Sequence, residues 1–528
     1  MVKTYILGLV LALVFVSCRK ETTWDSDWVV PLINDTLDLK NLVNDSTLET
    51  SGGFYNVKLK RTLLNIQVSD FVSIPDTTIA QVFILGVPQL TVPPGTSFVN
   101  SVKEHELQLE DVQLKKIILT KGVIELELKN PLPEIIKINV ELPGVTLNGQ
   151  TFTQTYFAPA AVSGSSGILT ETLNLDGYTL DLTGISGAEY NILRSKVTAS
   201  TLTTGGSVVV TNQDQIIVNA KIKNSVLKYA RGYFGSRIIQ DTTDFNIDFF
   251  QNIVGGIIDI PATSVKVKLE NSIKFDAQGK INFLSNENNS GTTINLTGGE
   301  IGNTFLIDQP LGNYFSLVPS FVELLFNSGN SNVENYFENL GVFHKIAYEI
   351  KINPWGNTSG GWNEIYEQSR IKLTVEANLP LAIRMDDLTI RDTFAFALNQ
   401  SQDKTRISSG TFSLKANNAF PFTGSLKLVL LDENNQVLHQ VAGTTEILSS
   451  LYGGSVDTQG IQFKTSIIEF PFSEEVVSSL DLIKFVSVQA AFDTPDPATQ
   501  TNQMVGIPAG AYLGVKLKAK FNLKTVVQ

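Results

Sequence analysis

From about residue 51 to its end the chain alternates apolar and polar residues with a period of two. No other feature limits its fold as tightly. Ile124, Leu126 and Leu128 alternate with Glu125, Glu127 and Lys129, and Ile136, Ile138, Val140 and Leu142 with Lys137, Asn139 and Glu141. Val265, Val267 and Leu269 alternate with lysines and Glu270, and Val515 to Leu523 alternate with Lys516, Lys518, Lys520, Asn522 and Lys524. Successive strand side chains point to opposite faces, so each segment has one apolar and one wet face, the antiparallel pattern. Asn148-Gly149, Asp176-Gly177, Gln278-Gly279 and Asp432–Asn435 supply turns between them. Helical spacing is confined to Val318–Phe326, Val333–Leu340, a short stretch near Ala188–Arg194, and Glu474–Phe485 behind a capping Ser473. The expected fold is mainly all-β, with tandem antiparallel β-sandwich-like domains and a few short helices.

A strand–Asn–turn–strand unit recurs at Val123–Leu142 (Asn130-Pro131-Leu132-Pro133), Ser264–Leu284 (Asn271-Ser272-Ile273) and Gly410–Leu431 (Asn418-Ala419-Phe420-Pro421). A fainter copy spans Ile216–Phe234 around Asn224. Asn bonds its own backbone and tolerates left-handed conformations, and Pro removes a ladder donor, so each unit reads as a strand that breaks and resumes at a corner between packed sheets. The first copy, with Leu147-Asn148-Gly149-Gln150 behind it, resembles WHy/LEA-type β-sandwich repeats over about 30 residues. Polar stretches place domain boundaries near 235–245 and 400–410. The expected division is 1–17 signal peptide, 18–50 anchor and tether, 51–240 first sandwich region, 241–405 β-rich region with short helices, and 406–528 C-terminal sandwich. Residues 285–304 read as a long loop or edge hairpin.

The N-terminus has a different character. Lys3 precedes an apolar run, Tyr5–Val16, of signal-peptide proportions, too short to span a bilayer comfortably. It ends in Phe15-Val16-Ser17-Cys18, and Cys18 is the only cysteine of the chain. These residues resemble a bacterial lipobox, and Arg19-Lys20-Glu21 resembles the charged export signal of Bacteroidota surface lipoproteins. The resemblance implies acylation of Cys18, cleavage before it, and attachment to the outer membrane, with cell-surface exposure expected and the periplasmic face as the alternative. Trp24 and Trp28 lie close behind, and the expectation is that they plug the chain into the edge of the next domain.

A formal charge of −12 argues against nucleic-acid partners. One cysteine cannot form a disulfide within the chain, so packed cores must supply stability. No nucleophile elbow, phosphate-binding glycine loop or calcium loop occurs, so no catalytic residue, metal or cofactor is expected. His105, His344 and His439 have no metal-ligand spacing and read as lone solvent-facing side chains. The adjacent acids Asp386-Asp387 and Glu474-Glu475 are not a hydrolytic dyad by themselves. Residues 353–363 hold Trp355 and Trp362 in an Asn/Gly-rich loop, the best candidate for contact with a sugar ring or partner protein. The plainer expectation is that both rings pack beneath that loop. The chain therefore reads as a non-enzymatic binding or structural lipoprotein of an envelope assembly, bound to the membrane through Cys18, with an outer-membrane protein or a glycan as partner. A carrier of lipid or another apolar ligand, and a hydrolase whose residues converge only in space, are the alternatives.

Overall fold

A computed structural model describes residues 22–39, 48–67, 70, 72, 74–84, 86–247, 250–251, 253–313, 316–396 and 405–527. Cys18, Arg19, Lys20 and Glu21 lie outside them. The chain is all-β: 64% is strand, 4% helix, and every ladder between the strands is antiparallel. Among the described residues no helix is long and apolar enough to cross a membrane.

The strands form three sandwiches. In the first, one half pairs Thr77–Ile84, Gln215–Tyr233, Gln113–Asn130 and Gly167–Asn174. The other pairs Ser97–Glu106, Ile192–Thr201, Ile136–Leu147 and Gln150–Ala158. Thr179–Asp181 bonds to both halves and closes one edge. The alternation seen in sequence is the burial pattern: Leu126, Leu128, Ile138 and Val140 are buried between the halves, while Glu127 and Lys137 face water. Asn148 and Gly149 both take positive φ, 51° and 81°, as the two-residue hairpin between Ile136–Leu147 and Gln150–Ala158 requires.

The second sandwich packs a sheet of Phe54–Gln67, Arg370–Pro380, Ser264–Asn271 and Ser320–Phe326 against one of Arg237–Asn246, Phe343–Ile352 and Ala277–Glu287. The helix Val333–Glu338 closes one end with buried Tyr336 and Phe337. The third packs Thr22–Asp38, Tyr512–Val527, Thr405–Asn418 and Gln462–Phe472 against Ala382–Ala395, Phe485–Asp493, Thr423–Leu431 and Val437–Ala442. Its core is a separate cluster built on Phe412, Ile468, Phe470, Phe472 and Ala519.

Asn130, Asn271 and Asn418 each end a strand in one sheet, and the chain resumes in the facing sheet of the same sandwich. All three are buried. Each Oδ1 accepts the N–H two residues on, from Leu132, Ile273 and Phe420 at 2.9, 2.9 and 3.0 Å. Each Nδ2 donates to carbonyls that the corner would otherwise leave unpaired, as Asn271 does to Asp308 at 3.0 Å. The fainter copy differs. Asn224 is exposed, has φ of 53°, and lies inside the unbroken strand Gln215–Tyr233, where the register shifts between Lys223 and Val226. It marks a bulge rather than a corner.

Several expectations need correction. Val318–Phe326 has apolar residues at helical spacing, yet Ser320–Phe326 is a strand, because Val265 to Asn271 offers it a full ladder. Ala188–Arg194 holds no helix; Ile192 already begins a strand. The helices at Val333–Glu338 and Glu474–Ser478 do form, the second with Ser473 Oγ accepting the Val476 N–H at 3.4 Å. Residues 285–304 include an edge hairpin, Thr293–Asn295 on Ala277–Glu287. The sandwiches also do not follow the linear division. Phe54–Gln67 belongs to the second sandwich and Ala382–Ala395 to the third. Thr22–Asp38, expected as tether, is an edge strand on Tyr512–Val527. That strand inserts the chain into the edge of the C-terminal sheet rather than of the next domain, and the Trp28 ring is 57% exposed.

Candidate functional site

The loop joining Phe343–Ile352 to Asn363–Tyr366 carries both tryptophans singled out in the sequence. It begins at buried Asn353, which takes φ of 45°. The Asn353 N–H donates to Asp276 O (2.7 Å), its Nδ2 to Gly235 O (2.9 Å), and its own carbonyl accepts from Ser236 Oγ (2.8 Å). Further along, Thr358 Oγ1 donates to Asp276 Oδ2 at 2.7 Å and the Gly361 N–H to Asn357 Oδ1 at 2.8 Å. Gly361 has φ of 81°, and a Cβ there would stand 2.8 Å from the Tyr190 ring, so glycine is required twice over. The chain then leaves the second sandwich. Asn363–Tyr366 pairs with the first, from Tyr229↔Tyr366 to Gly232↔Asn363. The loop is a strap between two sandwiches.

The first sandwich supplies the bed under the strap. Lys115 Nζ donates to Gly360 O at 3.0 Å, and Tyr190 OH to the same carbonyl at 3.4 Å. The Arg231 guanidinium lies 4.4 Å from the Trp362 ring centre, with Lys115 Nζ at 5.6 Å. Arg231 Nε is buried and meets no hydrogen-bond acceptor among the described residues, so the π-face is its compensation. Trp362 is 61% exposed and Trp355 55%. The rings do not pack as local core, contrary to the plainer expectation, because the strap docks through its backbone and leaves the indoles outside.

Glu364 ties the bed together. It accepts from Tyr229 OH (2.6 Å), Tyr366 OH (2.8 Å) and Lys274 Nζ (3.0 Å). Burial alone would raise its pKa, but these three bonds outweigh that and hold the carboxyl below the usual range. Burial and the same carboxylate push both tyrosines well above theirs. The hub is thus a fixed anion with two neutral phenols, suited to holding geometry. Sequence reasoning found the two tryptophans but missed Lys115, Tyr190, Arg231 and Glu364. Arg231 and Glu364 occupy ordinary alternating positions of strands, with no local signal of the contact they make.

A cation behind one indole face leaves the other face open to stack on a ring, while Asn357, Thr358 and Ser359 are engaged in fastening the strap. Elsewhere, an open cleft of about 700 Å³ sits at the bulge of the first sandwich, lined by Asp76, Lys121, Asp176 and Asn224 among others. Both carboxylates there already hold backbone: Asp176 accepts the Gly122 N–H at 3.1 Å and Asp76 the Asn224 N–H at 3.4 Å. Inside the first sandwich, Ser195 Oγ lies 2.8 Å from His105 Nε2 and 2.6 Å from Gln81 Nε2. That trio borders a cavity of about 40 Å³ walled by aliphatic side chains. Among the described residues no cluster of three or more metal-ligating side chains occurs.

The histidines are not solvent-facing. His105 and His439 are half-buried, His439 Nε2 lying 2.7 Å from Ser479 Oγ. His344 is buried, stacked on Phe245 at 5.1 Å. Its Nε2–H donates to Gly341 O at 3.0 Å, and its Nδ1 accepts from Tyr336 OH at 2.7 Å. Burial lowers its pKa to about 4, so the ring is neutral.

No family model matches the chain, and no curated protein matches it. Among solved structures, a protein of Parabacteroides distasonis ATCC 8503, described as a candidate secreted protein, aligns at 12% identity. The alignment covers 55% of this chain and 89% of that one, with a TM-score of 0.27. The VP2 subviral particle protein of infectious bursal disease virus aligns at 10% identity over 92% of this chain and 82% of that one, with a TM-score of 0.12. Neither likeness is close enough to carry a fold or a function over.

Proposed function

We propose that the chain is a non-enzymatic, lipid-anchored protein of the bacterial outer envelope that binds a partner through the Trp355–Trp362 strap. Acylation at Cys18 holds it to the outer membrane, facing the cell surface. The strap presents two indoles to a ring-bearing surface, either a glycan or the aromatic side chains of an outer-membrane protein. The observation that carries this reading is Trp362: well over half exposed, yet fixed from behind by Arg231 at 4.4 Å on a loop fastened to two sandwiches. An exposed ring on a mobile tail would lose entropy on binding; a ring on a braced strap has already lost it.

The carrier alternative lacks room. Among the described residues, an apolar cavity in the first sandwich and one between the second and third measure about 40 Å³ each, and one inside the second about 20 Å³. A cavity that takes benzene is on the order of 150 Å³. For the hydrolase alternative, the two carboxylates of the open cleft each hold a backbone N–H.

The test is gentle detergent extraction of the full-length protein from its membrane, followed by affinity recovery. The wild type is expected to bring down a protein or glycan in fixed ratio, and the Trp355→Ala/Trp362→Ala variant to lose it. Recovery unchanged in the double variant would contradict the role of the strap.

A further inference from the structure

We infer that the outer face of the third sandwich's terminal sheet is a membrane contact that binds phosphate-bearing lipid headgroups. The inference rests on the lipid anchor for its geometry, but its charge argument stands on the sheet alone. Thr22–Asp38 pairs with Tyr512–Val527 from Thr22↔Val527 inward, so Thr22 and Val527 lie together at one tip of the sheet. Cys18 is four residues before Thr22, and four residues span at most about 14 Å in any conformation. An acyl chain on Cys18 therefore brings that tip to the lipid surface.

The face that the tip continues into is basic, in a chain whose formal charge is −12. Lys516, Lys518 and Lys520 alternate with the buried or half-buried Leu517 and Ala519, and all three are exposed. The register sets exposed Lys415 directly opposite Lys516, and the flanking strands oppose this pair with Ile467 and Asn34 rather than with an acid. Like charges directly opposed across a ladder destabilise a sheet. Other ladders oppose unlike charges, as in Lys196↔Glu141, Lys60↔Glu376 and Lys268↔Glu323, and where Arg231 meets Lys116 the next strand sets Asp181 opposite that lysine. This like-charged pair on the outer face is a cost that the neighbouring strands do not offset. Among the described side chains the acids on this face are few: Glu469 meets Lys520 at 3.8 Å, and Asp27 bonds Asn522 at 3.1 Å. An anionic lipid surface supplies the missing counter-charge.

The experiment uses full-length Cys18→Ala protein, which lacks the acyl chain, and flotation with vesicles. Binding is expected to phosphatidylglycerol-containing vesicles and not to pure phosphatidylcholine, and to fall with salt. In the same background Lys516→Gln/Lys518→Gln/Lys520→Gln is expected to weaken binding roughly tenfold or more, with an unchanged thermal transition. Equal binding to both vesicle types, no binding to either, or an unaffected triple variant would overturn the inference. Failure of the anchor is read separately, by labelled fatty acid on wild-type Cys18, and leaves the vesicle result intact.

Discussion

Asn130 and Asn418 hold two distant corners of the chain by the same bonds. Each Oδ1 accepts the N–H two residues on, and each Nδ2 donates at 2.8 Å to the carbonyl four residues on, Glu134 O and Phe422 O. Each Nδ2 also reaches a second segment, Pro159 O at 2.8 Å or Leu448 O at 3.0 Å. Replacement by Ala leaves several buried backbone groups unpaired. Asn130→Ala and Asn418→Ala are each expected to cost about 2–4 kcal/mol, while exposed Asn224→Ala costs less than about 0.5 kcal/mol. Urea unfolding of the three variants checks the contrast.

His344 makes stability depend on pH. Its folded-state pKa lies near 4, below the ordinary 6.5, so the unfolded chain binds the proton more tightly. Its contribution is complete above about pH 6.5 and is lost as pH falls toward 4, a change of up to about 3 kcal/mol. His344→Gln is expected to be less stable at pH 7.5 and to show a flatter decline between pH 6.5 and 4. Comparing urea midpoints of variant and wild type across that range removes the contribution of carboxylates common to both. Parallel curves would refute the assignment.

The third sandwich has its own core. Phe412 packs edge-on against Phe472 at 4.7 Å and Phe521 at 6.3 Å. Phe412→Ala is expected to cost about 3–5 kcal/mol, and hydrogen exchange should show the loss of protection concentrated in Thr405–Asn418, Gln462–Phe472 and Tyr512–Val527.

The tryptophans should behave in the opposite way. Trp355→Ala is expected to change stability by less than about 0.5 kcal/mol, and Trp362→Ala, which gives up the stacking on Arg231, by about 1 kcal/mol or less, because the strap is fastened through Asn353, Gly360 and Gly361 rather than through the rings. Loss of binding without loss of stability separates a contact role from a packing role, and thermal melts alongside the affinity recovery measure both.

What was legible in the sequence follows the range of the interactions. Alternation such as Ile124 to Lys129 and turns such as Asn148-Gly149 are set by neighbours in the chain, so the all-β fold could be read directly. The Asn corners could be read for the same reason, since Asn130 and Leu132 are two residues apart. Thr22–Asp38 was not, because its partner is the far end of the chain. Val318–Phe326 was misread because Phe321, Val322, Leu324 and Leu325 suit a helix face as well as a strand with one partly wet side. At the site, the tryptophans stood out by type and loop context. Their exposure depends on Lys115, Tyr190 and Arg231 of another sandwich, and nothing local encodes that docking.

The most direct measurement is site-specific photo-crosslinking in intact cells, with a benzophenone side chain placed at Trp362 and, as a control, at Val162, which is exposed on the first sandwich. A discrete adduct of one mass from position 362 and none from position 162 is the expected result. The same adducts from both positions, or none from 362, would contradict the claim that the strap is where this protein meets its partner.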